Sequence, residues 1–142
     1  MATTRQAKAH WEGTLREGKG TVSLESSGLG SYDVSWAART EDPDGMTSPE
    51  ELIAAAHSAC FSMALSSGLA KADTPATALD VTADVGFQPG EGITGIKLTV
   101  VGQVDGVDEA TFVKAAEAAK TDCPVSKALT GTTITLEARL AG

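Results

Sequence analysis

Two cysteines are the residues of this chain whose type and setting could do chemistry. Cys60 lies in Leu52-Ile53-Ala54-Ala55-Ala56-His57-Ser58-Ala59-Cys60-Phe61-Ser62-Met63-Ala64-Leu65, and Cys123 opens Cys123-Pro124-Val125-Ser126-Lys127. Neither belongs to a CxxC motif, and 63 positions separate them, so they meet only if the fold brings them together. Two thiols that meet beside a cation make a redox site, because a thiolate is the attacking species and a second thiol can close a disulfide on it. Cys123 precedes proline, which suits the first position of a helix, so its thiol stands at or next to an N-cap where free N–H groups favour thiolate. Cys60 also has a plain reading as a small hydrophobe on a helical face with Leu52, Ala56 and Met63. His57 reads equally as a base or zinc ligand near Cys60 and as a hydrogen-bonded core residue.

The elements that must position these residues follow from periodicity and punctuation. Period-two alternation predicts strands over Ala7 to Glu12, Thr21 to Glu25 and Tyr32 to Ala38, broken by Gly13, Gly18, Gly20, Gly28 and Gly30. Asp42-Pro43-Asp44-Gly45 is turn chemistry. Ser48 then begins a helix with Pro49 at its first position and Glu51 completing a capping box, and the helix is expected to end near Gly68. Strands near Leu79 to Phe87 and Ile93 to Val104, a helix from the Asp108 cap to about Lys120, a short helix after Pro124 and a strand over Thr132 to Leu140 complete the chain. The order β-β-β-α-β-β-α-α-β separates antiparallel strands from helices, which makes the fold α+β, in one domain over residues 1–142.

The two long helices differ. In the second, Lys114, Glu117 and Lys120 oppose Phe112, Val113, Ala116 and Ala119, an amphipathic pattern for packing on a sheet and meeting water. From Leu52 to Leu65 only His57, Ser58 and Ser62 are polar, so the first helix is expected to be buried on most sides. One small sheet cannot surround it, and a second subunit could.

Charge and composition exclude several functions. The net charge of −8, with 11 scattered Lys and Arg, works against nucleic acid and anionic membranes as partners. No apolar signal segment opens the sequence, and no apolar run approaches the roughly 20 residues that span a bilayer, so the expected compartment is the cytoplasm, where thiols stay reduced. Gly90-x-Gly92-x-x-Gly95 matches a dinucleotide fingerprint by letter, but it falls between two strands with no helix after it and is rejected.

Met46-Thr47-Ser48-Pro49-Glu50-Glu51 followed by the Cys60 segment resembles the hallmark helix of the OsmC/Ohr superfamily of thiol peroxidases. Ala9-His10-Trp11-Glu12-Gly13 with Gly18-Lys19-Gly20-Thr21-Val22, Asp80-Val81-Thr82-Ala83-Asp84-Val85 and Cys123-Pro124-Val125-Ser126 agree, in order from about residue 6 to the C-terminus. Arg39 before the helix and Lys19 in the glycine loop favour the OsmC branch. Ser48 stands where many members have Asn, and both cap helices well. The resemblance implies an OsmC-like fold with a long central helix, an intertwined homodimer, and reduction of organic hydroperoxides, with hydrogen peroxide reduced less efficiently. It implies Cys60 as the peroxidatic thiol, Cys123 as the resolving thiol, Arg39 with Glu50 as the activating polar pair, no cofactor or metal, and an external dithiol reductant. Read alone, Glu50 is a favourable charge in a first helical turn and Arg39 a solvated loop residue.

One step is independent of the resemblance. Ten residues of helix separate Glu50 from Cys60, about 15 Å along the axis and roughly 80° around it, so Glu50 cannot reach its own Cys60. If both serve one site, the carboxylate comes from a partner subunit, and two composite sites form at a twofold interface. The neighbours Phe61, Met63, Leu52 and Ile53 favour an organic hydroperoxide. Three other functions stay open: a zinc module using Cys60, Cys123, His57 and His10, a general thiol-disulfide oxidoreductase, and a dimer whose cysteines only pack.

Overall fold

The computed structural model describes residues 2–142; Met1, the first residue of the expected single domain, lies outside the described residues. The element order is β1 (Ala7–Glu12), β2 (Lys19–Leu24), β3 (Ser31–Val34), α1 (Trp36–Thr40), α2 (Pro49–Lys71), β4 (Ala76–Gln88), β5 (Gly92–Val104), α3 (Glu109–Asp122), α4 (Pro124–Ala128) and β6 (Ile134–Leu140). After Leu52 the chain divides into two compact units.

The first unit holds the antiparallel sheet β1-β2-β3. Its third strand stops at Val34, four residues short of the alternation that suggested strand to Ala38. The reason is Ser35, whose hydroxyl accepts from the Ala38 N–H and caps α1, pulling Trp36, Ala37 and Ala38 into helix. Arg39 therefore stands in the last turn of a helix and not in a loop. Beyond it, the Met46 N–H reaches back to the Pro43 carbonyl at 2.9 Å, with Asp44 and Gly45 both at positive φ, a tight turn that aspartate and glycine tolerate.

Helix α2 begins as the sequence suggests on one side of its cap and differs on the other. Ser48 Oγ accepts from the Glu51 N–H at 3.1 Å, but the Glu51 carboxylate takes the Thr47 hydroxyl at 2.6 Å instead of returning to Ser48. The helix passes Gly68 and runs to Lys71, because Leu69, 1% exposed, anchors the extra turn in the core. At this length it is apolar enough to cross a membrane by length and composition, contrary to the sequence count of its apolar run. Its stripe of His57, Phe61, Leu65 and Leu69 is nevertheless buried within the protein.

The second unit folds around that stripe. Phe61, Leu65 and Leu69 of α2 pack with Leu98 and Val100 of β5, Phe112, Ala116 and Ala119 of α3, and Cys123. β4 and β5 form a long antiparallel hairpin whose turn holds Gly90 and Gly92, so the glycine motif serves a bend between strands. β6 pairs with β5 in parallel, reached by a crossover through α3 and α4, so this sheet is mixed and not purely antiparallel. The opposite face of α2, including Ala55, Ala56, Ala59, Met63, Ser66, Ser67 and Ala70, is exposed in the single chain. The expectation of burial on most sides is thus met on one face only, since one three-stranded sheet and α3 cover one side.

Candidate active site

The first unit holds a preformed charge pair. Arg39 Nη2 meets Glu50 Oε2 at 2.8 Å and Nε meets Oε1 at 3.0 Å, the two-pronged geometry that a planar guanidinium offers a carboxylate. Glu50 is only 7% exposed, so its charge is held away from water and needs this partner. The Trp36 ring lies under the guanidinium, 6.0 Å from its carbon, one turn back along α1. Trp36 is a contributor that sequence reasoning missed; the Ser35 cap, which sets it at a three-residue spacing from Arg39, was the signal.

The second unit brings the two thiols together. Both are free, Cys123 is fully buried and Cys60 is partly exposed, and the two are near enough for each to perturb the other's acidity. Cys123 sits at the junction of α3 and α4. Its N–H closes the last turn of α3 on the Ala119 carbonyl at 2.9 Å, while its carbonyl receives the Lys127 N–H at 3.0 Å. Pro124 at the first position of α4 enforces the break, because it has no N–H to continue α3.

The two thiols are pushed in opposite directions. Burial raises Cys60, the Cys123 sulfur raises it further, and a backbone N–H from Val125 pulls only partly the other way. Burial also works to raise Cys123, but the backbone N–H of Ser126, the Cys60 thiol, the Ser126 hydroxyl and the Val125 N–H outweigh it and bring Cys123 below the ordinary thiol value. The N–H groups face the sulfur from the first turn of α4 without closing a full capping hydrogen bond. The thiolate-favouring helix start expected for Cys123 is therefore present. In a single chain Cys123 is thus the more acidic of the two thiols.

Two expectations about the surroundings change. Phe61, taken as an apolar neighbour of the substrate, is fully buried in the core and faces no approaching molecule. His57 is fully buried as well, and its Nε2 lies 2.7 Å from Ser126 Oγ. Ser126, also missed from sequence, stands three residues after Cys123, the spacing at which an N-cap and third helical residue meet. Among the described residues, no three side chains of His, Cys, Asp or Glu gather in one place.

Two adjacent thiols at a helix junction of an α+β frame, with a separate arginine–glutamate pair, define a cysteine-pair protein. A family model described as OsmC-like protein matches residues 42–137. Peroxiredoxin OsmC of Escherichia coli (strain K12) is 46% identical over 132 residues, covering 91% of this chain and 92% of that protein, and the protein of the same name from Shigella flexneri matches equally. An organic hydroperoxide resistance protein from Elizabethkingia anophelis superposes with a TM-score of 0.70 at 26% identity, covering 99% of this chain and 100% of that one. An organic hydroperoxide resistance protein OsmC from Legionella pneumophila superposes at 0.72 with 23% identity, covering 98% of each chain, and supports the fold. The chain belongs to the OsmC-like family.

Proposed function

We propose that this chain is a thiol peroxidase that reduces organic hydroperoxides, and hydrogen peroxide less efficiently, through Cys60. The observation that carries the reading is the thiol pair itself: two free cysteines, distant in sequence, side by side, one buried and one reachable. The names of the curated relatives support it. Cys60 is the thiol a peroxide can reach. Its thiolate attacks the peroxide, an S–O bond forms as the O–O bond breaks, and the departing alkoxide takes a proton to become the alcohol. Cys123 then condenses with the sulfenic acid to a disulfide, which an external dithiol reduces, a cycle suited to the cytoplasm.

The order of acidity must change for this to work. In the single chain Cys60 is the raised thiol, so attack requires a cation beside it. Arg39, fixed by Glu50, has the shape for that role and can also hydrogen-bond peroxide oxygens. α2 runs unbroken from Pro49 to Lys71, so the helical rise keeps Glu50 about 15 Å along the axis from its own Cys60. The pair is therefore supplied by a second subunit of a homodimer, docked on the open face of α2, in two composite sites. Met63, 71% exposed, with the half-exposed Leu52 and Ile53, gives that face its preference for an organic substrate.

A second reading, a general thiol-disulfide oxidoreductase, is favoured by the lowered Cys123 thiol. Mass analysis without reductant, after one equivalent of an organic hydroperoxide, separates the two. Rapid formation of one intramolecular disulfide with release of the alcohol supports the peroxidase. Slow reaction with peroxide beside fast exchange with protein disulfides supports the alternative.

A further inference from the structure

The proposed cycle uses Cys60, Cys123, Arg39 and Glu50 and leaves one buried polar side chain without a task. His57 interrupts the apolar stripe of α2, where a leucine would extend the contacts of Phe61, Leu65 and Leu69. Its Nδ1 is enclosed with no hydrogen-bond partner, a burial that costs stability. Packing does not account for a histidine there.

Its other nitrogen leads to the thiols. Nε2 lies 2.7 Å from Ser126 Oγ, and Ser126 stands at the third position of α4, the helix whose N-cap is Cys123, where its hydroxyl can turn toward the Cys123 sulfur. A hydroxyl has a single proton to give, so the His57 tautomer decides where it goes. With hydrogen on Nδ1, a donor is buried without an acceptor, and Nε2 takes the serine proton away from the sulfur. With hydrogen on Nε2, only a bare lone pair is left at Nδ1, the histidine donates to Oγ, and the serine proton faces Cys123.

We propose that His57 is a positioning residue for the resolving thiol: as the neutral Nε2–H tautomer it donates to Ser126, commits the serine proton to the Cys123 sulfur, and so prepares Cys123 to close the disulfide on oxidised Cys60. This rests on the resolving role given to Cys123 above. In the step, the electron pair on the Cys123 sulfur forms the S–S bond while the S–O bond of the Cys60 sulfenic acid breaks. Hydroxide leaves with that bonding pair and joins the proton given up by the Cys123 thiol as one water. The oxidising equivalent arrived with the peroxide. His57 exchanges no proton, in keeping with burial that lowers its basicity.

The test follows one turnover. Reduced wild type, Ser126→Ala, His57→Leu and His57→Gln each receive one equivalent of an organic hydroperoxide, and quenched samples are resolved by mass into sulfenic acid, trapped with a dione reagent, and disulfide. Ser126→Ala and His57→Leu are expected to slow conversion of sulfenic acid to disulfide by about tenfold or more, the scale of one hydrogen bond to a charged group. His57→Gln, which keeps an N–H near the place of Nε2, recovers most of the rate, and the double variant is no slower than Ser126→Ala. Long-range proton–nitrogen spectra, with two histidines in the chain, show His57 as Nε2–H in the reduced protein. Closure at the wild-type rate in Ser126→Ala, an Nδ1–H signature, or a folded His57→Gln as slow as His57→Leu overturns the proposal. A wild type that forms no Cys60–Cys123 disulfide overturns the peroxidase reading with it, whereas normal closure in every variant overturns this inference alone. If His57→Leu does not fold, Ser126→Ala and the spectra decide.

Discussion

Arg39 and Glu50 are joined by two parallel contacts, Nη2 to Oε2 at 2.8 Å and Nε to Oε1 at 3.0 Å, between the last turn of α1 and the first turn of α2. The pair exists in the single chain, before any partner or peroxide is present. Its guanidinium is thus oriented in advance, and orientation is what lysine cannot reproduce.

Arg39→Ala is expected to move the onset of Cys60 alkylation to higher pH, with Arg39→Lys restoring only part of the shift. Thiol alkylation followed against pH and read by mass at each cysteine measures it. An unchanged profile would transfer the activating role to another cation, with Lys19, Arg16 and Lys127 next.

The two cysteines should fail differently. Cys60→Ser abolishes peroxide consumption, while Cys123→Ser permits one turnover and then holds Cys60 as sulfenic acid or a more oxidised form. A stoichiometric assay with limiting peroxide distinguishes them, and equal loss of the first turnover in both would reverse the roles.

The proposed sharing of a site between subunits predicts complementation. An inactive Cys60→Ser subunit mixed with an impaired Glu50→Ala subunit, under conditions that exchange subunits, regains activity through one intact site per heterodimer. Heterodimers seen by native mass spectrometry without activity would confine the dimer to covering α2.

His57 makes stability depend on pH in a defined direction. Burial lowers its basicity in the folded chain relative to about 6.5 unfolded, so below that pH the unfolded chain binds a proton the folded one refuses. Its contribution is complete above about pH 6.5 and is lost as pH falls, at no more than about 1.4 kcal/mol per unit. Melting curves at about pH 7.5 and 5.5 should show a larger drop for wild type than for His57→Gln.

Legibility in the sequence tracked how local the cause was. The Ser48 and Asp108 caps, Pro124 and the alternation of β5 are written within a few residues, and these elements stand where expected. Trp36 to Ala38 alternate like a strand, but one capping hydroxyl at Ser35 outweighs a weak period. Gly68 looked like a stop, and the burial of Leu69, a tertiary contact, overrides it. Nothing local reports that β6 runs parallel to β5, or that Ser126 meets His57 across 69 positions. The pairing of Arg39 with Glu50 and of Cys60 with Cys123 came from family likeness and not from spacing.

Cys123 ties two helices together at one residue, and that junction gives the proposed redox cycle a mechanical side. A bond from Cys60 to this point would close a loop of 63 positions and remove about 4 kcal/mol of freedom from the unfolded chain. For a protein of this size that is a rise in melting temperature on the order of 10 °C. The oxidised protein would then be the harder one to unfold, and the temperature at which a sample melts would report how much of it still awaits its reductant.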